Sequence, residues 1–200
     1  MQNTSPIRNY KLSPAALQAT RVATAALFVA LGVALSPFSV PVLGARIFPI
    51  QSFLNVLGAI FLGPIYTFLV ALVVSLIRNA TGLGTPLAYM GSLPGALLAA
   101  LAYWSVMLGT RGDERGTLFP RRMLLAILAA AGGEIFGTGI LGAIADGAVV
   151  APVILHHRAI LTLYLVPFLF AAITGSLTAC VVAVALWKTG IRPRRNVAHA

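Results

Sequence analysis

The fold is decided by residues 124–145, which read LLAILAAAGGEIFGTGILGAIA. The stretch is long enough to cross a bilayer as one helix, since about 20 apolar residues suffice. Its single charged residue is Glu134. A carboxylate at membrane depth is costly unless something pairs with it, and such residues usually mark a ligand, ion or proton site. The stretch therefore predicts a membrane helix with a functional position inside it.

The rest of the chain has the composition of an integral membrane protein. Of its 200 residues, 59% are hydrophobic and 9% are charged, whereas soluble domains carry about 25% charged residues. The mean hydropathy is +0.95. This length holds five or six spans of about 20 residues and leaves no room for a separate catalytic domain. We predict one membrane domain at residues 15–188, between a cytoplasmic tail at 1–14 and a basic cytoplasmic tail at 189–200.

The net charge of +10 does not indicate nucleic-acid binding, because the basic residues are scattered among apolar spans. We interpret them as topology signals that face the cytoplasm. Cys180 is the single cysteine, so an intrachain disulfide is excluded. The start of the chain resembles a signal sequence, but residues 22–43 are long enough to span and more spans follow. An uncleaved first helix is therefore predicted.

Prolines, glycines and polar segments divide the chain into six predicted helices, at about residues 15–36, 49–62, 64–80, 88–108, 122–145 and 159–187. Gly63-Pro64 breaks an uncharged run that is too long for one span, although a mere kink there would give five spans. With six spans and both termini cytoplasmic, eleven basic residues lie inside and three outside. This positive-inside bias favours an all-α protein with six transmembrane helices.

Polar residues gather at the outer end of these predicted helices. Gln51 and Asn55 are four residues apart and share a helix face, as do Glu134 and Thr138. Four glycines near Glu134 remove side-chain bulk, which permits close helix contact or opens space for a ligand. The predicted substrate-binding residues are Gln51, Asn55, Arg78, Asn79, Tyr89, Ser92, Glu134 and Thr138.

These residues also have structural interpretations. Gln51 and Asn55 could join helices by hydrogen bonds. Arg78 could extend to the membrane interface or form an ion pair with Glu134. Tyr89 suits an interfacial aromatic belt. The residue types alone do not decide between these roles and ligand binding.

The remaining polar residues carry weaker signals. Asp146 stands at a predicted helix end and is interpreted as a solvated loop residue. His156 and His157 lack the neighbouring carboxylates or thiolates of a metal site. Asp113 and Glu114 belong to a predicted cytoplasmic loop with basic neighbours. We predict no catalytic residue, no metal and no cofactor.

Small residues follow one side of the first helix at four-residue spacing. Such spacing makes a flat face that another helix can approach, either inside the protein or in a docking partner. The two series are Ala15, Ala19 and Ala23, and Ala26, Ala30 and Ala34.

Several motifs together resemble the membrane S components of energy-coupling factor (ECF) vitamin transporters, and within them are most similar to the thiazole-specific ThiW branch. The similarity extends from the first helix to the fifth. It rests on residues 26–32 (ALFVALG), 35–37 (LSP), 48–51 (FPIQ), 55–57 (NVL), 62–64 (LGP), 76–79 (LIRN), 91–96 (GSLPGA) and 133–139 (GEIFGTG).

The resemblance implies a substrate-binding subunit that is not an enzyme and has no ATPase of its own. Its partners would be an ECF transmembrane coupling protein with two cytoplasmic ATPases, in the bacterial cytoplasmic membrane. The alanine motif of the family corresponds best to Ala26 and Ala30, which would then contact the coupling protein. Substrate would lie near the outer surface, beneath the loop between helices 1 and 2.

The same resemblance implies hydroxyethylthiazole, a neutral heteroaromatic alcohol and thiamine precursor, as the ligand. Glu134 would accept its hydroxyl proton. Hydrogen bonds would come from Gln51, Asn55 and Asn79, and aromatic stacking from Tyr89, Phe136 or Tyr164.

Three alternatives remain open at this point. The first is an S component for another vitamin or precursor, such as a pyrimidine. The second is a membrane-embedded enzyme, which generally needs clustered carboxylates or a nucleophile with a base, whereas the four acids here are spread along the chain. The third is an autonomous secondary transporter, for which inverted repeats are expected and none is evident.

Overall fold

A computed structural model describes residues 13–42, 45–109, 119–154, 156 and 161–191. The six predicted helices are confirmed in this part of the chain. Predictions for the two tails fall mostly outside the described residues, as do those for Asp113, Glu114 and His157. The helices are α1 (Pro14–Ala34), α2 (Pro49–Phe61), α3 (Pro64–Ala80), α4 (Leu87–Gly109), α5 (beginning as Phe119–Glu134) and α6 (Thr162–Lys188).

Proline and glycine set several helix boundaries. Pro14, Pro49 and Pro64 each occupy the first turn of a helix, where a missing N–H costs nothing. Gly63 has a φ of 85°, a backbone conformation that favours glycine, and it turns the chain between α2 and α3. Gly63-Pro64 is therefore a break between two helices and not a kink within one.

The segment between α1 and α2 was predicted as a loop and contains a small hairpin. After a 3₁₀ turn at Ser36–Phe38, strand β1 (Val40–Val42) pairs antiparallel with β2 (Ala45–Ile47). Val40 lies opposite Ile47. Strands of three residues are too short for an alternating pattern to be recognised in the sequence. The hairpin leads directly into α2.

Helix α5 is longer than predicted. It continues beyond Glu134 as a π-helical stretch (Ile135–Gly142), one α-helical turn (Ala143–Ala145) and a second π-helical stretch (Asp146–Ile154). The prediction that Asp146 is a solvated loop residue was wrong, because the residue lies inside this helix and is fully buried. Residues 147–151 are apolar, so nothing ends the helix at residue 146.

Among the residues that the structure describes, four helices are long and apolar enough to cross a membrane: α1, α4, α5 over Arg121–Val153, and α6 over Leu163–Lys188. Helices α2 and α3 are shorter, with 13 and 17 residues. At 1.5 Å per residue they measure about 20 and 25 Å, against about 30 Å of hydrocarbon in a bilayer. The number of complete spans and the side on which the termini lie therefore stay predictions.

The short helix α2 forms the centre of the bundle. Every residue from Gln51 to Ile60 except Phe53 is buried, and α2 contacts each of the other five helices. In contrast, α1 lies on the outside and contacts mainly α3 and α2, with only Phe28 and Gly32 buried. The face formed by its six alanines is exposed and not used for packing within the chain.

Helices α4 and α5 approach each other along a seam of glycines. A Cβ atom on Gly137 would lie 2.6 Å from the Cα of Gly95, and one on Gly142 would lie 2.6 Å from the Cα of Gly91. Such distances leave no room for a side chain. The glycines after Glu134 are thus explained by close helix contact.

Two adjacent glycines of α5 offer a matched test of this seam. A Cβ on Gly133 would lie 2.5 Å from the carbonyl oxygen of Leu98, whereas a Cβ on Gly132 meets nothing within 4 Å. We expect Gly133→Ala to lower stability by about 1–3 kcal/mol because the backbones must separate. Gly132→Ala should be neutral or slightly stabilising. Thermal unfolding in detergent measures both, and equal midpoints for the two variants would contradict the close contact.

Candidate functional site

A cavity of about 440 Å³ lies at the end of the bundle where α2 and α4 begin and α3 ends. The hairpin and the turn after α3 also contribute to its wall. Its lining combines apolar and aromatic side chains with a few polar ones, which is typical of small-molecule sites. The lining residues are Ile47, Phe48, Gln51, Ser52, Arg78, Gly82, Leu83, Gly84, Thr85, Leu87, Ala88, Gly91, Ser92, Thr138, Phe168 and Ala171.

Four of the eight predicted binding residues line this cavity: Gln51, Arg78, Ser92 and Thr138. They come from α2, α3, α4 and α5, which are separated widely in sequence. The structure thus brings these predicted residues together at one end of the bundle.

Glu134 lies immediately behind the cavity wall and is fully buried. The Nδ2 of Asn55 donates to its two carboxylate oxygens at 3.1 and 3.3 Å. The hydroxyl of Thr138 donates to Oε1 at 2.8 Å. Across the described residues Glu134 has no salt bridge, so the hypothetical ion pair with Arg78 is not formed. Instead, neutral donors on α2 and α5 form hydrogen bonds with the carboxylate.

Gly95 on α4 makes space for this carboxylate. A Cβ atom at this position would meet both Thr138 Oγ1 and Glu134 Oε2, the second at 2.5 Å. Any larger residue would therefore displace the network that holds Glu134.

Further hydrogen bonds extend the network across the bundle. Gln51 Nε2 donates to Asn55 Oδ1 at 3.2 Å, and Asn55 Nδ2 reaches the carbonyl oxygen of Ser92 at 3.1 Å. The hydroxyls of Ser75 and Ser92 are 2.9 Å apart. Gln51 Oε1 is buried and has no hydrogen-bond partner. Gln51 lines the cavity, and this oxygen is an unpaired acceptor just beneath its wall.

Arg78 occupies another part of the wall. Its guanidinium carbon lies 3.8 Å from the centre of the Phe48 ring, a cation–π contact. Its Nε is buried without a hydrogen-bond partner. The alternative that Arg78 extends to the membrane interface does not fit this position, because the side chain is buried.

The structure does not bring the other predicted residues to the cavity wall. Asn55 lies behind it with Glu134. Asn79 donates to the carbonyl oxygen of Ser75 in its own helix at 2.9 Å. Tyr89 faces a second, apolar pocket between α3 and α4, together with Phe68 and Pro94.

The aromatic residues at the cavity also differ from the expected ones. Phe136 is 50% exposed on the outside of α5, and Tyr164 packs against Ala143 and Ala151. Phe48 and Phe168 line the cavity instead. For Phe48 the sequence contains a usable signal, since it directly precedes the proline that begins α2 and must lie at that end of the bundle.

The chain matches the family model described as thiamine-precursor transporter protein (ThiW) over residues 22–189. It belongs to the ThiW family. The resemblance predicted from the motifs is therefore confirmed. Neither curated proteins nor solved structures gave a match.

Membership of the ThiW family identifies the chain as a membrane protein for transport of a thiamine precursor. The matched range includes α1 from residue 22, all of the other five helices and every residue that lines the cavity. The apolar helices agree with a multi-pass membrane protein.

Thr138 tests the contribution of the buried network to the ThiW fold. Thr138→Val keeps the shape but removes the donor that serves Glu134 at 2.8 Å and the Gly91 carbonyl at 3.0 Å. We expect a loss of about 1–3 kcal/mol, because Oε1 of the buried carboxylate loses its shorter hydrogen bond and keeps only the one from Asn55. Thr178→Val on the exposed face of α6 is the control, since that hydroxyl bonds only within its own helix. Equal thermal unfolding midpoints of the two variants would argue against the network.

Proposed function

We propose that this ThiW protein is the substrate-binding subunit, or S component, of an ECF-type importer that captures hydroxyethylthiazole from outside the cell. The observation that carries the proposal is the cavity at one end of the bundle, backed by the buried Glu134 network. Its volume of about 440 Å³ falls within the range of about 300–1,000 Å³ typical of small-molecule sites.

The cavity wall offers partners for each part of such a ligand. The thiazole ring fits the apolar part of the wall, where Phe168 provides an aromatic surface. The ligand hydroxyl would donate to Gln51 Oε1, an unpaired acceptor that a turn of the amide would bring to the cavity surface. In this arrangement Glu134 contributes to ligand binding indirectly, because its hydrogen bonds hold Asn55 and Thr138 in position.

The proposed orientation follows the distribution of basic residues. Arg121, Arg122 and Lys188 lie near helix ends remote from the cavity. Basic residues prefer the cytoplasmic side, so both termini would be cytoplasmic and the cavity would open to the outside of the bacterial cytoplasmic membrane. This direction is the one required for capture of an external substrate.

Energy for transport would come from partner subunits. We propose that the membrane domain predicted at residues 15–188 acts with an ECF transmembrane coupling protein and two cytoplasmic ATPases. Ala26 and Ala30 support this arrangement because they are exposed on α1, where a partner helix can approach closely.

A second candidate is an S component for a pyrimidine precursor. The unpaired carbonyl oxygen of Gln51 suits this ligand as well, since it can accept from the exocyclic amine of an aminopyrimidine. Binding of the two compounds compared on the same protein separates the candidates.

Glu134 provides the central test of the proposed binding site. We expect Glu134→Ala to weaken hydroxyethylthiazole binding by about 10-fold or more, because Asn55 and Thr138 lose the acceptor that positions them. Calorimetry on the purified protein measures the affinity, and thermal unfolding establishes that the variant is folded. Glu134→Gln, which keeps the shape and one acceptor oxygen, should bind better than the alanine variant. Unaltered affinity in both variants would reject the role of Glu134.

The exposed alanines test the proposed partner. Replacing both Ala26 and Ala30 with Trp should abolish co-purification with the coupling protein, because the bulky rings prevent close helix approach. Ligand affinity should not change, since neither residue lines the cavity. Val181→Trp on α6 is the control, because Val181 is 71% exposed and remote from α1 in sequence.

Uptake assays complete this test. Uptake of labelled hydroxyethylthiazole by cells should require the coupling protein and the ATPases. Uptake that persists after their deletion would indicate an autonomous transporter and contradict the S-component proposal.

A further inference from the structure

The cavity wall contains a buried cation without a countercharge. Arg78 lines the cavity and is only 6% exposed. Its Nε has no hydrogen-bond partner, and no described carboxylate lies within salt-bridge distance of it. A buried charged group is costly unless it is paired. Because no anion of the described residues pairs with Arg78, we look for its partner among the ligands that enter the cavity.

The contact with Phe48 leaves the donors of Arg78 free. The guanidinium carbon sits 3.8 Å above the ring centre, so the ring covers the guanidinium from one side. The five N–H groups lie in the plane of the guanidinium and are not used by a ring above it. This stacked arrangement fixes the orientation of the group and presents its N–H edges, which match the geometry of a carboxylate or phosphate.

The acidic residues of the described chain do not compensate this charge. None of the residues that line the cavity is Asp or Glu. Glu134 lies behind the wall and is engaged by Asn55 and Thr138. Asp146 is buried elsewhere in α5 and does not line the cavity. Within the described ranges, Arg78 is therefore the charged group that faces the ligand space.

We infer that Arg78, held by Phe48, is an oxyanion-binding subsite, and that the preferred ligand is a small aromatic heterocycle bearing a carboxylate or phosphate group. The inference rests on the proposed S-component function and its heteroaromatic ligand class, but it makes an anionic derivative, and not the neutral alcohol, the preferred substrate. The oxyanion pairs with the guanidinium edge, and the ring lies against the apolar wall near Phe168. A neutral alcohol fits the same cavity but leaves Arg78 unpaired.

A ligand series on the full-length protein in detergent tests this subsite. The compounds are hydroxyethylthiazole, its phosphate monoester, and the analogue with a carboxylate in place of the hydroxymethyl group. We expect the wild type to bind at least one anionic compound about 10- to 100-fold more tightly than the alcohol, the range of a charge-assisted hydrogen bond. Calorimetry gives the three affinities.

Variants of Arg78 assign the preference to this residue. Arg78→Gln should abolish the preference by lowering the affinity for the anion, and thermal unfolding in detergent establishes that the variant is folded. Arg78→Lys keeps the charge but not the planar fork and should retain part of the preference. Arg121→Gln removes an exposed arginine remote from the cavity and should leave all affinities unchanged.

The results distinguish a failure of the oxyanion subsite from a failure of the proposed function. If the alcohol binds as tightly as both anions, or if Arg78→Gln weakens all three compounds equally, the oxyanion subsite is wrong and the S-component proposal stands. If no compound of the series binds the wild type, the proposed substrate class itself is overturned, and the subsite with it.

Discussion

A carboxylate inside an apolar helix needs hydrogen-bond donors from the residues packed around it. This requirement organises the helix bundle around Glu134. Asn55 bridges α2 to the carboxylate on α5 and also reaches the carbonyl of Ser92 on α4. An amide that serves two partners on different helices fixes their relative depth, because a shift of one residue would break both bonds. The central position of α2 and the place of the cavity follow from this constraint.

Close backbone contact is the second condition for the network. Hydrogen bonds from short side chains reach across a helix pair only when the axes are near, and the glycines at positions 91, 95, 137 and 142 permit that distance. In lipid the hydrophobic effect does not drive helices together, so packing and polar contacts must hold them. The close contact between α4 and α5 at the glycines and the hydrogen-bond network of Glu134 therefore depend on each other. The same part of α5 contributes residues to both.

Much of this arrangement could be predicted from sequence because its signals are discrete. Prolines and Gly63 mark the helix boundaries, and a single Glu134 in an apolar run is conspicuous. The aromatic lining was not predictable in the same way. Every face of a membrane helix is apolar, so periodicity does not separate a side chain that faces lipid from one that faces a cavity. Phe136 and Phe168 look alike in sequence, yet only Phe168 lines the cavity. The length of α5 was missed because helix continuation by π-type hydrogen bonds leaves no residue signature.

The modest length of α3 has a consequence for the surrounding lipid. Its outward-facing apolar residues, Ile65, Leu69, Val73 and Leu76, cover only about 17 Å of helix axis. A bilayer with about 30 Å of hydrocarbon cannot match that stripe without deforming. Acyl chains beside α3 are expected to compress, while those beside the much longer α5 and α6 are not. In a bilayer, the side of the protein at α3 would therefore be thinner than the side at α5 and α6, and this asymmetry would favour tilting in one direction.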